Sequence, residues 1–205
     1  MATFVIAQTT KQEIIVEKSR FIACVAPIDN EIAFLEFKKS VIKAYPGARH
    51  YPYAYRFGHM SKSSDDGEPS GTAGRPLLEL INTLAFDQIG LIVVRYFGGT
   101  KLGAGRLLRT YVDAAKQALL NTERFEVIPS TIYETTIKSA NLSQIEYLFN
   151  KLGIEWVEKK YLDEEVYLRF NAPINLVIND LIHPQPVAVS QAKLLRKEVS
   201  SCNDK

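Results

Sequence analysis

An α+β fold in two consecutive units is predicted by three observations. Over the first part of the chain, segments with helical apolar spacing interleave with alternating or unbroken apolar runs, in the order β-β-α-β-α-β-α. Residues 124–130 carry Pro129 and no strong periodicity, which places a domain boundary near Thr131 and separates residues 1–131 from residues 132–205. The remainder reads βαββαβ, the ferredoxin-like order, in about 70 residues. A composition with 46% hydrophobic and 23% charged residues supports packed cores in both units.

In the first unit, EIIVEKSRFIACVAPI (residues 13–28) reads as a strand pair. Residues 30–45 set Ile32, Phe34, Leu35, Val41 and Ile42 at helical spacing between charges, and Pro46-Gly47 ends that helix. HYPYAYRFG (50–58) alternates as a strand does. Tyr51, Tyr53, Tyr55 and Phe57 fall on one face, and His50, Ala54 and Arg56 on the other. An aromatic face of this kind stacks unpaired bases in some proteins, but packing into a core is its commoner use and the favoured reading here. HMSKSSDDGEPSG (59–71) reads as a polar loop. A helix follows over about 72–86, with Pro76 confined to its first turn, because proline is tolerated only there. Then come the apolar strand IGLIVVRYF (89–97), a glycine-rich loop, and a long helix over about 103–121.

The second unit reads as strand TIYETTIKSA (131–140), helix NLSQIEYLFNKLG (141–153), strands IEWVEKKY (154–161) and EEVYLRFN (164–171), helix INLVINDLIHP (174–184) and strand VAVSQAKLLRKEV (187–199). It lacks the aromatic signature of an RNA-recognition sheet, so its strand order alone does not make it an RNA binder.

Composition excludes several function classes. The formal charge of +2 argues against an obligate coat of nucleic acid, although residues 1–132 hold 16 Lys+Arg against 13 Asp+Glu and residues 133–205 hold 9 against 10. The longest apolar run, IGLIVV, falls far short of the roughly 20 residues that cross a bilayer, and the start of the chain lacks a secretory signal. A cytoplasmic protein with no membrane association is expected. Cys24 and Cys202 lie far apart without a C-x-x-C pair, which excludes a zinc knuckle and disfavours a disulfide. His59 and His183 have no ligand-like neighbours at useful spacing, and Ser70 does not sit in a nucleophile elbow. No metal, cofactor or catalytic residue is assigned.

The loop RYFGGTKLGAG (95–105) is the most informative stretch. Gly98 and Gly103 have the spacing of a phosphate-binding P-loop, but Ala104-Gly105 stands where that motif needs Lys-Ser/Thr. The dinucleotide fingerprint also fails, because Leu108 follows Gly103-x-Gly105 where a third glycine is required. Two readings stand side by side. In one, an apolar strand feeds glycine-rich backbone into a helix N-terminus, whose unpaired N–H groups and partial positive charge attract an anion, with Lys101, Arg106 and Arg109 clustered around it. In the other, Gly98 and Gly99 supply a positive-φ turn, Gly103 and Gly105 permit close helix-to-sheet packing, and the cations are solvated.

Arg95 bears on that choice. It ends an almost wholly apolar strand, where a charge stripped of water without a partner is expensive. Asp65, Asp66 and Glu68 are the nearest supply of negative charge. The favoured arrangement pairs Arg95 with Glu68 to lock the loop; the alternative has the carboxylates hold a divalent ion that bridges to a phosphate. Arg49, His50 and Arg56 add possible phosphate contacts, with His50 also a possible acid or base near neutral pH.

ARHYPYAYRFG and DDGEPSGTAGRPLLELI, taken with GLIVVRYFGGTKLGAGRLLRTYVDAA, closely resemble the IMPACT/YigZ family. The match runs through Ala48, His50, Ala54, Tyr55, Asp66, Gly67, Glu68, Pro69, Gly71, Thr72, Ala73, Gly74, Arg95, Gly98, Gly99, Leu102 and Gly103, over about half of the chain. The resemblance implies an N-terminal ribosomal-protein-like βαβ domain, similar to domain IV of elongation factor G, and a C-terminal domain similar to its domain V. It also implies a role in translation: the elongation-factor domains meet ribosomal RNA, and eukaryotic relatives act in translational control through protein partners.

The expectation that follows is a non-enzymatic, translation-associated regulator that binds RNA, the ribosome or a translation-associated protein. Lys101, Arg106 and Arg109 contact phosphate, and residues 98–105 supply backbone donors. Asp65, Asp66, Gly67, Glu68, Pro69, Gly71, Thr72 and Gly74 form the loop that supports the site. The rival expectation is a phosphotransferase or nuclease-like enzyme in which Asp65, Asp66 or Glu68 holds a metal and His50 moves a proton. A third is a protein-docking module that uses the acidic loop and the second domain.

Overall fold

A computed structural model describes residues 3–174, 185–186 and 194–198, and its architecture is mixed α+β. The chain divides into two compact units, Met1–Glu126 and Val127–Lys197.

The first unit is built on a five-stranded antiparallel sheet. After the short strand β1 (Thr3–Ile6), β2 (Thr10–Val16) turns at Glu17 and Lys18 into β3 (Ser19–Pro27), with register from Thr10↔Val25 to Val16↔Ser19. Both turn residues have positive φ, 47° and 62°, as a tight hairpin requires. Helix α1 (Glu31–Ala44) follows, its first turn capped by the Asn30 side chain, which accepts the Ala33 N–H at 2.9 Å. Then come β4 (Tyr53–Phe57), β5 (Met60–Ser64), α2 (Gly74–Thr83), β6 (Ile89–Tyr96) and α3 (Ala104–Leu120). The sheet order is β2-β3-β6-β4-β5.

The inner strands β3 and β6 are covered on both faces, which explains their unbroken apolar sequence. Phe21, Ala23, Val25, Leu91 and Val93 point to the side of α2 and α3, where they meet Leu77, Ile81, Tyr111, Ala114 and Ala115. Ile22, Cys24, Ile92 and Val94 point to α1, where they meet Phe34 and Val41. Burial pushes the Cys24 thiol up to about 11. Tyr55 belongs to this second core, and its ring lies 4.5 Å from that of Phe34. Tyr51, Tyr53 and Phe57 pack against the same cluster, so the aromatic face of β4 is a core face.

Three local readings need correction. Residues 59–71 are not all loop: Met60–Ser64 form β5, an edge strand paired with β4 from Phe57↔Met60 to Tyr53↔Ser64. Its sequence, MSKSS, has no apolar alternation because an edge strand with no buried face needs none. Thr3–Ile6 form a strand where the sequence suggested none. Residues 124–130 are the first half of a long strand, β7 (Arg124–Lys138), rather than an irregular connection.

In the second unit β7 pairs with β9 (Glu165–Pro173), from Ser130↔Pro173 to Lys138↔Glu165, and β9 pairs with β8 (Glu155–Leu162). Helix α4 (Leu142–Leu152) precedes β8 and ends at Gly153, which takes a left-handed φ of 65°. It buries Ile145 and Phe149, whose ring stacks 4.7 Å from Trp156 and lies 4.6 Å from Phe170. Two short strands, β10 (Gln185–Pro186) and β11 (Leu194–Glu198), also pair with β7. The βαββ part of the expected order is therefore present, while nearly all of the helix read over 174–184 lies outside the described residues. No helix among the described residues is long and apolar enough to cross a membrane.

Glycine is required at Gly98 for a reason the loop sequence does not reveal. A Cβ there would stand 2.1 Å from the Lys18 carbonyl carbon and 2.3 Å from the Ser19 nitrogen, both backbone atoms of the β2–β3 turn. At Gly105 nothing lies within 4 Å of the corresponding position. Gly98→Ala is expected to destabilise the protein by about 3 kcal/mol through this clash. Gly105→Ala is expected to be neutral or to stabilise by up to about 1 kcal/mol, because alanine restricts the unfolded chain. Urea unfolding of the two variants beside the wild type checks the contrast.

Candidate functional site

Arg95 continues the alternation of Leu91 and Val93, so its side chain projects to the side of α2 and α3. It is buried, with 9% of the side chain exposed, and Glu68 meets it with 3% exposed. Arg95 Nη1 donates to Glu68 Oε1 at 2.7 Å and Oε2 at 3.0 Å, and the Tyr111 hydroxyl of α3 donates to Oε1 at 2.6 Å. This is the pairing the sequence favoured, with a third member added. Burial and the adjoining Glu68 carboxylate together push the Tyr111 phenol far above its ordinary value. The guanidinium also lies 5.4 Å from the Phe21 ring and 5.6 Å from the Phe97 ring. Nη1 makes both bonds to Glu68, and Nε is buried with no partner among the described residues.

Glu68 reaches this position because its loop is fixed at several points. Asp65 accepts the N–H groups of Gly71, Ala73 and Gly74 at 2.8–2.9 Å, and so caps α2 from nine residues upstream. Burial alone would raise its carboxyl, but the three donors hold it below the usual value. Thr72 donates both its N–H and its hydroxyl to the Pro69 carbonyl. Asp66 Oδ2 accepts the Tyr51 N–H at 2.8 Å, and Lys38 Nζ lies 3.6 Å from Oδ1. Gly74 lies against β5, where a Cβ would come within 2.5 Å of the Ser64 backbone.

His50 is held by the same loop. Its Nδ1 lies 2.8 Å from the Asp66 carbonyl oxygen, which only accepts, so Nδ1 carries the hydrogen. Gly67, at φ +85°, packs against the ring. The His50 carbonyl in turn accepts the Arg95 N–H.

The glycine loop leads into α3 without a side-chain cap. Gly98 donates its N–H to Ser19 Oγ at 3.0 Å, Gly99 takes φ +92°, and Gly103 is the cap residue at φ +75°. Gly103 and Gly105 have open space where a Cβ would be, so they do not serve close helix-to-sheet packing. Among the described residues no side chain caps the first turn of α3.

These parts surround a cavity of about 420 Å³. Arg49, His50, Glu68, Arg95 and Lys101 form its polar wall, Gly103 and Ala104 bring the start of α3, and Pro69, Phe97, Leu102 and Leu107 are apolar. Of the residues singled out in the sequence, the fold therefore gathers Arg49, His50, Glu68, Pro69, Arg95, Lys101 and Gly103. Others lie outside the lining. Arg56 donates to Asn82 at 3.0 Å and lies 4.0 Å from Asp87. Arg106 pairs with Glu17 at 3.0 Å, and Arg109 is exposed on α3. Sequence reasoning missed Phe97, Leu107 and Tyr111, which sat in runs read only as strand or helix.

Each carboxylate of the acidic loop already has partners. Asp65 is committed to three backbone donors, Asp66 to Tyr51 and Lys38, and Glu68 to Arg95 and Tyr111. Among the described residues no group of three or more His, Cys, Asp or Glu side chains is placed to hold a metal ion.

Comparison with known proteins gives a consistent result. The Impact N-terminal domain family model matches residues 17–119. The IMPACT family member YvyE of Bacillus subtilis (strain 168) is 32% identical over 180 residues, 86% of this chain and 80% of the relative. The IMPACT family member YigZ of Escherichia coli (strain K12) is 35% identical over 151 residues, 71% of this chain and 74% of the relative. A crystal structure of a hypothetical protein aligns with a TM-score of 0.60 at 32% identity, covering 84% of this chain and 85% of that one.

The buried pair generates a stability prediction. Glu68→Gln leaves Arg95 charged and poorly compensated, and is expected to cost about 3–5 kcal/mol. Tyr111→Phe removes one hydrogen bond to a charged group and is expected to cost about 1.5–3 kcal/mol. Equilibrium unfolding measures both, and an unchanged midpoint in Glu68→Gln would contradict the role given to the pair.

Proposed function

This chain belongs to the IMPACT family, and on that premise we propose that it is a cytoplasmic, translation-associated regulator that binds RNA phosphate, in free RNA or in the ribosome, at the cavity beside the glycine loop. The observation that carries the reading is that a preordered guanidinium and an uncapped helix start line one cavity. One is Arg95, held by Glu68 through Nη1; the other is the start of α3. Both suit an oxyanion, the guanidinium through its fork of N–H groups and the helix through its N–H groups and partial positive charge.

Electrostatics favour the same ligand. Among the described residues Glu68 is the one carboxylate in the wall, and Arg95 balances it. Lys101 and Arg49 remain, both exposed and without an ion pair among the described residues. Cations placed this way add long-range attraction to the local donors. The proposed relation to domains IV and V of elongation factor G supports a ribosomal RNA target, and a translation-associated protein is the corresponding partner on the ribosome. In this reading Arg109 and Arg106 extend the basic surface along α3, and Arg106 exchanges Glu17 for phosphate.

Co-sedimentation with ribosomes across a salt series tests the proposal. The wild type is expected to bind, and its affinity to fall steeply with salt. Arg49→Glu/Lys101→Glu is expected to bind at least tenfold more weakly, with a salt slope reduced by about 0.7–0.9 for each phosphate that is no longer neutralised. Equal binding and equal slopes would remove this surface from the account.

A further inference from the structure

The cavity is larger than a phosphate needs, and its remaining walls have a chemistry of their own. A water molecule accounts for about 30 Å³ of liquid volume, whereas small-molecule sites run from about 300 to 1,000 Å³. At about 420 Å³ this cavity falls in the second range. A bare oxyanion on the donors would leave most of it unfilled.

The oxyanion end is built. Arg95 is nine-tenths buried, and Glu68 holds it through Nη1 alone, so the guanidinium is aligned before any ligand arrives. Its Nε has no partner among the described residues. The 17-residue helix α3 begins at the same cavity with no side chain capping it. These are independent features: one is a side chain at the end of a strand, the other a backbone terminus delivered by the glycine loop.

The wall beside it is apolar and aromatic. Phe97 follows the last residue of β6 and is 48% exposed, although the strand before it is almost wholly buried. Leu102 and Leu107 continue that wall from the loop and from α3. An exposed phenyl ring beside a cationic oxyanion site is the arrangement on which a nucleobase stacks while its phosphate is held.

We propose that the cavity seats one nucleoside monophosphate unit, with its phosphate on Arg95, Lys101 and the α3 N–H groups and its base against Phe97. The inference rests on the phosphate reading above and narrows it from a charged surface to a pocket for a single nucleotide. Such a pocket accepts a strand end or an extruded nucleotide, because a base paired in a duplex does not present its face to Phe97. A free mononucleotide offers the same chemistry, so the experiment separates the two sources.

The test titrates the full chain by calorimetry with AMP, UMP, adenosine, uridine and inorganic phosphate, and in parallel follows the anisotropy of fluorescein-labelled single-stranded RNA. The monophosphates are expected to saturate one site and to bind at least about tenfold tighter than either the nucleosides or phosphate, since base stacking adds to the phosphate contacts. Phe97→Ala, an exposed substitution whose melting curve verifies folding, is expected to lose about tenfold for the monophosphates and to leave phosphate binding unchanged. Monophosphate binding no tighter than phosphate, or unaffected by Phe97→Ala, overturns the proposal. RNA binding that no mononucleotide displaces also overturns it, while leaving the RNA reading intact. Monophosphate binding without RNA binding supports the pocket as a site for free nucleotides and removes the RNA reading.

Discussion

One buried contact sets the geometry of everything around the site: the Arg95 guanidinium on the Glu68 carboxylate, with the Tyr111 hydroxyl on the same oxygen. It ties the end of β6 to the acidic loop and to α3. Burying two charges carries a desolvation cost of several kcal/mol per ion, which mutual attraction and good hydrogen bonding offset only when every partner is in place. The pair is therefore better understood as fixing a unique arrangement than as a source of net stability. An apolar trio of similar size could pack there, but it would not dictate where the loop sits.

The way the contact is made matters as much as its presence. Arg95 reaches both oxygens of Glu68 from Nη1, while the Phe21 and Phe97 rings lie near the guanidinium carbon. Nε is buried, with no partner among the described residues. The neighbouring loop follows the same logic: Asp65 and Asp66 accept backbone N–H groups, which stiffens the loop. His50 is oriented through Nδ1 by a main-chain carbonyl and lines the cavity. In the proposed reading, surroundings this stiff mean that the ordering cost of binding is met largely during folding.

The parts legible in the sequence were those whose signal is local or whose cost is extreme. The unbroken apolar run of β6 announced a strand buried on both faces, and Arg95 at its end announced a partner because a bare buried charge is too expensive to tolerate. Pro76 fixed the start of α2 for an equally local reason. The parts not legible depend on residues distant in sequence. β5 carries no apolar alternation, because a polar edge strand has no face to bury. Gly98 looks like a turn residue, yet its role is to let the loop cross the Lys18–Ser19 backbone, some 79 positions earlier in the chain. Phe97 and Leu107 looked like strand and helix interior, and only the fold turns them toward one cavity. Arg56 was grouped with His50 by strand parity, but Asn82 and Asp87 draw its side chain elsewhere.

The proposed function turns on Arg95 and the uncapped start of α3 forming one oxyanion site. The most direct measurement is a titration of isotopically labelled protein with inorganic phosphate, followed by the NMR signals of Arg95 Nε–H and of the backbone N–H groups of Ala104, Gly105 and Arg106. The account predicts that all four move together along a single saturating curve with one dissociation constant. A response confined to exposed lysines, or an Arg95 signal that stays fixed while the helix amides shift, would contradict it.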